Sequence, residues 1–324
     1  MEAEMRSKPE LQAAIRAHGR AVLMVNARSR RGRRLFDQAR ELLDAAGFDF
    51  ARVVPVTDPG RLGAVFADVL EPEPDLVVVG GGDGTVAEAV GHLAHRDIAL
   101  GVLPLGTTNN FARSLELPLD LKGAVGVLRD GKVADVDLGW FEGTPEDGAG
   151  ESHKHIFANM VSLGLSVDVA GRVPHGLKRV LGRSAYAVTA ARLLAGHEAF
   201  RATITIGDHT YELATHQLNV ANGAHHSGQR IARDASPDDR LLAVYRLGDQ
   251  RRLRLASATA RHVLTGPWRS LDEDAFMTCT EVRITTDRPL RADVDGEIRG
   301  LTPVTIRLMG NALRVIVPNT FVDT

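Results

Sequence analysis

The sequence predicts an α/β N-terminal domain on a parallel sheet, followed by a second domain that is mostly an antiparallel β-sandwich. Two observations carry that expectation. From Ala21 to about Leu138, short and nearly continuous apolar runs alternate with stretches of helical spacing, the pattern of a parallel sheet covered on both faces. Beyond Trp140 the apolar period shifts towards two, in RATITIG, TYELATHQLNVAN, LLAVYRLG, EVRITTD, LRADVDGE, PVTIRLMG and ALRVIVP. The domains are expected over 1–140 and 141–324, with a return of the C-terminal end onto the first domain left open.

In the first half, AVLMVN (Ala21 to Asn26) reads as a buried strand. Leu35 to Ala46 follows as a helix with apolar residues at Leu35, Ala39, Leu42 and Leu43. Phe50 to Val56 is a second strand, and Pro59 to Leu70 a second helix with Asp58 as its cap. DLVVVG, a glycine turn, a helix from about Thr85 and the strand IALGVLP come next. The polar, glycine-rich FEGTPEDGAGES is expected to be a loop between the domains. Two helical stretches, 177–194 and 251–264, interrupt the strands of the second half.

Composition narrows the function. The 324 residues suit two cores, and 44% hydrophobic with 25% charged residues marks a globular chain. A formal net charge of -2 gives no overall electrostatic case for nucleic acid. The single Cys279 excludes an intrachain disulfide or a multi-cysteine zinc site and suits a reducing cytoplasm. No stretch approaches the roughly 18 apolar residues of a spanning helix, and the N-terminus lacks a signal-peptide core.

The chemistry concentrates at Gly80-Gly81-Gly82-Asp83-Gly84-Thr85, between a strand and a helix. Glycines there allow positive φ and close approach to a ligand, and the helix N-terminus offers unpaired amides to phosphate. Asp83 would repel phosphate unless it works with a divalent cation or takes a proton from a hydroxyl. The run lacks the Gly-Lys-Ser/Thr end of a P-loop and does not satisfy GxGxxG. A second loop, Pro104 to Arg113, ends the neighbouring strand, where open α/β sheets place their ligands.

Together GGDGTVAEAV and PLGTTNNFAR resemble the catalytic core of the diacylglycerol kinase family, in its bacterial soluble branch within a superfamily shared with NAD kinases. The resemblance runs from about Ala21 to Val317. It implies a nucleotide-binding α/β domain, a β-sandwich lipid-substrate domain and an active site in the cleft between them, with ATP as co-substrate and Mg²⁺ as cofactor. VNARSRRG resembles the family's VNPxSG segment, which puts Asn26, Ala27, Arg28, Ser29 and Arg30 near ATP, although Ala27 replaces the usual proline and Arg30 the usual glycine. The resemblance also implies nucleotide contacts for Thr57, Gly81, Gly82, Asp83, Gly84, Thr85 and Thr107. Asn110 stands where many relatives carry aspartate.

In the second half ADVDGE resembles the family's DGE element, implying that Glu297, slightly ahead of Asp295, accepts the proton of the lipid hydroxyl, with Asp83 as a further catalytic residue that works with magnesium or a proton. Read without the resemblance, Asp295-Gly296 is a hairpin signal. SPDDRLLAV resembles a segment that binds a structural magnesium, implying Asp239 as side-chain ligand with carbonyls of Ser236 and Leu241. Arg240 there replaces a glycine.

His92 with His95, and His225 with His226, lack a third ligand at zinc spacing and are read as ordinary histidines. The arginines at 28, 30, 31, 33 and 34 suit a nucleotide or an anionic membrane as well as nucleic acid. The sequence therefore predicts an ATP-dependent lipid kinase, with diacylglycerol as the leading acceptor, in the cytoplasm and transiently at the inner face of the membrane. Expected partners are the lipid substrate and the membrane surface; a homodimer stays open and nucleic acid is not expected. The alternatives are an NAD kinase-like enzyme, disfavoured by the lack of an SPTGSTAY-like segment, and a catalytically silent nucleotide-binding regulator.

Overall fold

The computed structural model describes residues 5–17, 20–27, 30–146, 151–172, 198–226, 229–230, 236–247 and 277–323. The chain opens on α1 (Lys8–Arg16), started by a capping box in which Ser7 and Glu10 bond each other's backbone amides. Then follow β1 (Ala21–Asn26), α2 (Arg30–Ala45), β2 (Phe50–Val56), α3 (Leu62–Leu70), β3 (Leu76–Gly81), α4 (Asp83–Leu93) and β4 (Ala99–Pro104). A short α5 (Asn110–Ser114) and α6 (Leu121–Asp130) lead into β5 (Lys132–Thr144). The helix expected from Pro59 starts with a 3-10 turn over Pro59–Arg61. Asp58 Oδ1 there accepts the Gly60 amide at 3.0 Å, so the aspartate caps the turn rather than the α-helix.

The first four strands form a parallel sheet in the order β4-β3-β1-β2. Successive side chains point to opposite faces. Val22, Met24, Val77, Val79, Leu100 and Val102 pack into one core with α3 and α4. Leu23, Val25, Leu76, Val78, Ala99 and Leu103 pack into another with α1, α2 and α6. Strands buried on both faces explain the uninterrupted apolar runs.

The second half comprises β6 (His153–Phe157), β7 (Met160–Gly164), α7 (Leu165–Arg172), β8 (Phe200–Ile206), β9 (His209–Thr215), β10 (Gln217–Ala221), the two-residue β11 (His225–His226) and β12 (Gln229–Arg230), and β13 (Leu242–Leu247). It ends with β14 (Met277–Cys279), β15 (Glu281–Thr286), β16 (Arg291–Val294) and β17 (Glu297–Val317). Neighbouring strands pair antiparallel around a core of Phe141, Phe157, Phe200, Ile204, Val282 and Ile306. The helical stretches expected at 177–194 and 251–264 lie outside the described residues.

Two long strands cross from one half to the other. Phe141 to Thr144, expected in a loop, continue β5 and pair with β17, so Trp140 sits inside a strand. PVTIRLMG and ALRVIVP, which read as two strands, are one: β17 spans 21 residues and is only bulged between Met309 and Leu313. Its end pairs parallel with β4 through Arg314 and Val315, so the C-terminal segment joins the first sheet. Arg314, nearly buried, reaches Asp97 and the carbonyl of Arg6, and Arg6 bonds Asp75 at 2.7 Å, tying both ends of the chain to that sheet.

Candidate active site

The parallel strands deliver Asn26, Thr57, Gly81 and Pro104 to one edge of the sheet, their carboxyl ends. β3 stops at Gly81 and α4 starts at Asp83, with Gly82 as an N-cap that makes no side-chain bond. Thr85 and Val86 donate their amides to Gly82 O, at 3.0 and 3.1 Å, so the amides of the first turn that lack a cap are those of Asp83 and Gly84. An added Cβ on Gly84 would meet nothing within 4 Å, so the turn is open there.

Behind it the two loops lie back to back. Gly106 has no room for a side chain: a Cβ there would stand 2.5 Å from the Cα of Gly82. Leu105 and Gly106 both donate their amides to Gly81 O, at 2.9 and 3.1 Å. Asn109, in the left-handed region at φ +49°, folds its side chain back onto Gly106 N, Pro104 O and Gly106 O. Asp83 completes the junction, accepting the Thr108 hydroxyl on Oδ2 and the Asn110 amide on Oδ1, each at 2.5 Å. The carboxylate that looked misplaced in a phosphate turn therefore holds the second loop and starts α5. Thr107, singled out from the sequence, is exposed, and its neighbour Thr108 makes the contact. Nothing in the Thr-Thr pair distinguishes them before the fold is known.

The β1 segment joins the same edge. Asn26 donates Nδ2 to Thr85 Oγ1 at 3.3 Å, and buried Ala27 donates its amide to Val56 O at 2.8 Å. Thr57 is exposed just beyond β2, and Arg30 starts α2. Arg28 and Ser29 lie outside the described residues.

Across from α4 stands the β16–β17 hairpin. Asp295 and Gly296 take φ of +50° and +97°, the two left-handed residues of a tight hairpin turn, and Val294 pairs with Glu297. Asp295 accepts the amides of Ala158, Asn159 and Met160 at 2.7, 2.9 and 3.0 Å, so its carboxyl clamps the segment between β6 and β7. Burial pushes that carboxyl up to about 6 although the three amides pull it down. Glu297, by contrast, is exposed and bonds Arg299 at 2.5 Å. A cleft of about 320 Å³ is lined by Gly84, Glu88 and His92 of α4, Lys154 and His155 of β6, and Asp295, Glu297 and Arg299 of the hairpin. Of the glycine turn only Gly84 lines this space, beside Val294, Asp295 and Glu297 of the DVDGE segment; Gly81, Gly82, Asp83, Thr85 and Thr107 do not line it. Sequence reasoning had no means of finding Lys154, His155 or Arg299. Burial first, then the positive charges of Arg299 and His153, hold His155 below the usual imidazole range. His92 stacks on Phe66 at 5.2 Å and reaches Glu88 at 3.3 Å, as a helix-face histidine does. Cys279 is buried, with its thiol pushed up to about 11, far from a nucleophile's range.

The segment 236–241 lies apart from this cleft. Asp239 accepts the amides of Ser236 and Leu241, each at 2.9 Å, and burial raises its carboxyl above the usual range. Among the described residues no group of three or more His, Cys, Asp or Glu side chains is placed to hold a metal ion.

A helix N-terminus without a side-chain cap on a parallel sheet, beside a cleft whose opposite wall is antiparallel β-structure, defines a two-domain protein of an α/β half and a β-sandwich half. The chain belongs to the diacylglycerol kinase family. Residues 20–141 match the diacylglycerol kinase catalytic domain, and residues 159–317 match the YegS C-terminal NAD kinase β-sandwich-like domain. A protein of Staphylococcus haemolyticus provisionally named a lipid kinase is 29% identical over 246 residues, 75% of this chain and 76% of that one. A similarly named Staphylococcus aureus protein is 28% identical over 249 residues, 76% and 78% of the two chains. Among solved structures, a diacylglycerol kinase from Bacillus anthracis shares the fold with a TM-score of 0.73 at 22% identity, over 94% of this chain and 98% of that one. A yeast NADH kinase solved with NADH shares it with a TM-score of 0.52 at 12% identity, over 92% and 83%.

Proposed function

We propose that the protein transfers the γ-phosphoryl group of ATP to a lipid hydroxyl, with diacylglycerol as the acceptor and phosphatidic acid as the product. The observation that carries this reading is the cleft between α4, from Gly84 to His92, and the β16–β17 hairpin, in a chain of this family. The open amides of α4 take the phosphates, and Gly82 packed on Gly106 lets the backbone approach them. Asp83 keeps the second loop in place, and each of its oxygens retains a lone pair, so the turn fits a magnesium ion carried with the nucleotide. Such an ion, when bound, would neutralise charge on the phosphates. Glu297, the exposed carboxylate of the cleft, receives the proton of the acceptor hydroxyl, oriented by Arg299. Asp295 is too fully engaged with three amides to share that task and supports the hairpin instead.

A membrane lipid must be met at a surface, so the reading includes peripheral contact with the cytoplasmic leaflet. No helix among the described residues is long and apolar enough to cross a membrane. The test is labelled ATP offered with diacylglycerol, ceramide, sphingosine, monoacylglycerol and NAD, the products being resolved. Label in a lipid phosphate and none in NAD is expected. Label in NAD alone would mean an NAD kinase, and no transfer by a protein that binds ATP would mean a silent regulator.

A further inference from the structure

The resemblance implied a structural magnesium on Asp239 and carbonyl oxygens of Ser236 and Leu241. The groups that those two residues turn towards Asp239 are amides, one to each carboxylate oxygen at 2.9 Å. A hard cation is held by oxygen donors, so this donor set does not fit it. The same segment carries a positive charge of its own. Asp137 on β5 is wholly buried opposite the bulge of β17, and a buried carboxylate needs donors and a countercharge. It accepts the Asn311 amide on Oδ1 at 2.9 Å and the Arg240 amide on Oδ2 at 2.8 Å. The Arg240 guanidinium Nε stands 3.6 Å from Oδ1. The arginine stem runs across Gly310, where an added Cβ would lie 3.5 Å from Arg240 Cδ. The Asp137 amide in turn donates to Pro237 O at 2.6 Å.

Arg240 also sits at φ +60°, a left-handed conformation that favours the glycine it replaces. A long side chain is kept at such a position when its surroundings hold it there. We infer that the Arg240 side chain does the work of a bound cation in this chain, closing the 236–241 segment on Asp137 and thereby fastening the second domain to β5 and β17 without a metal. The inference does not depend on which acceptor the enzyme uses.

The test is thermal unfolding of the full chain, nucleotide-free, in EDTA and in millimolar MgCl₂. The wild-type midpoint should be the same in both. Arg240→Gly, which relieves the left-handed backbone, should nonetheless unfold about 2–4 °C lower, and the drop should shrink in an Asp137→Asn background. A wild-type midpoint that falls in EDTA and recovers with magnesium would overturn the inference, as would an Arg240→Gly protein as stable as wild type or an equal drop in both backgrounds. If either variant fails to fold, the wild-type comparison still decides.

Discussion

Thr108 donates its hydroxyl to Asp83 across 25 positions of sequence, and that bond, with the Asn110 amide on the other oxygen, makes the two loops that follow β3 and β4 into one unit. Thr108→Val removes one donor and little volume. It is expected to lower kcat/KM for ATP about tenfold, equivalent to about 1.4 kcal/mol, while the melting temperature moves little. Asp83→Asn should cost more, because it also weakens the start of α5. Steady-state kinetics of both variants with a common lipid acceptor checks this ranking.

Gly106→Ala is expected to harm the same unit by a steric route. The added methyl would stand 2.5 Å from Gly82 Cα and 2.6 Å from Asn109 Oδ1, so backbone must move. Overpacking of this kind costs about 1–3 kcal/mol. ATP affinity measured by calorimetry should fall together with stability, whereas Gly84→Ala, in open space, should leave stability nearly unchanged.

Asp295→Asn should destabilise the second domain, since an amide oxygen cannot serve three backbone donors and its NH₂ adds an unmatched one. A loss of about 1–3 kcal/mol is expected in urea unfolding. The pH dependence has a definite sign. A carboxyl raised by burial to about 6 binds its proton more tightly folded than unfolded. Its contribution is present below the ordinary carboxylate pKa and is lost as pH rises through about 6. Asp295→Asn should remove that downward slope from the wild-type profile.

His155 acts in the opposite direction. Its folded pKa is lowered, so its contribution to stability is present above the ordinary histidine value and is lost as pH falls through the lowered one. His155→Gln should flatten the stability profile below neutrality, which unfolding midpoints between pH 5 and pH 7.5 would show.

Local signals carried much of this structure. β2 occupies the seven residues its pattern indicated, and the β3-turn-α4 unit follows from an apolar run, four glycines and a helix start. The Asp295-Gly296 hairpin was equally legible, because only the backbone of those two residues is at issue. What escaped depends on partners distant in sequence. FEGT looks like a loop until β17 lies beside it, and the Ala158 to Met160 amides that occupy Asp295 are about 135 positions away. Asp83 could be marked as chemically odd, but its attachment to Thr108 required the two loops to be packed. The magnesium expected at Asp239 was carried by resemblance, and the amides that face that carboxylate come from the actual turn.

The α4 turn and Glu297 are proposed to serve one phosphoryl transfer from opposite walls of the cleft. The direct measurement is the kcat of Glu297→Gln with diacylglycerol in mixed micelles, set beside its ATP dissociation constant. The kcat is expected to fall about 10²-fold or more, with ATP binding unchanged. A Glu297→Gln enzyme that turns over at the wild-type rate would remove Glu297 from the transfer.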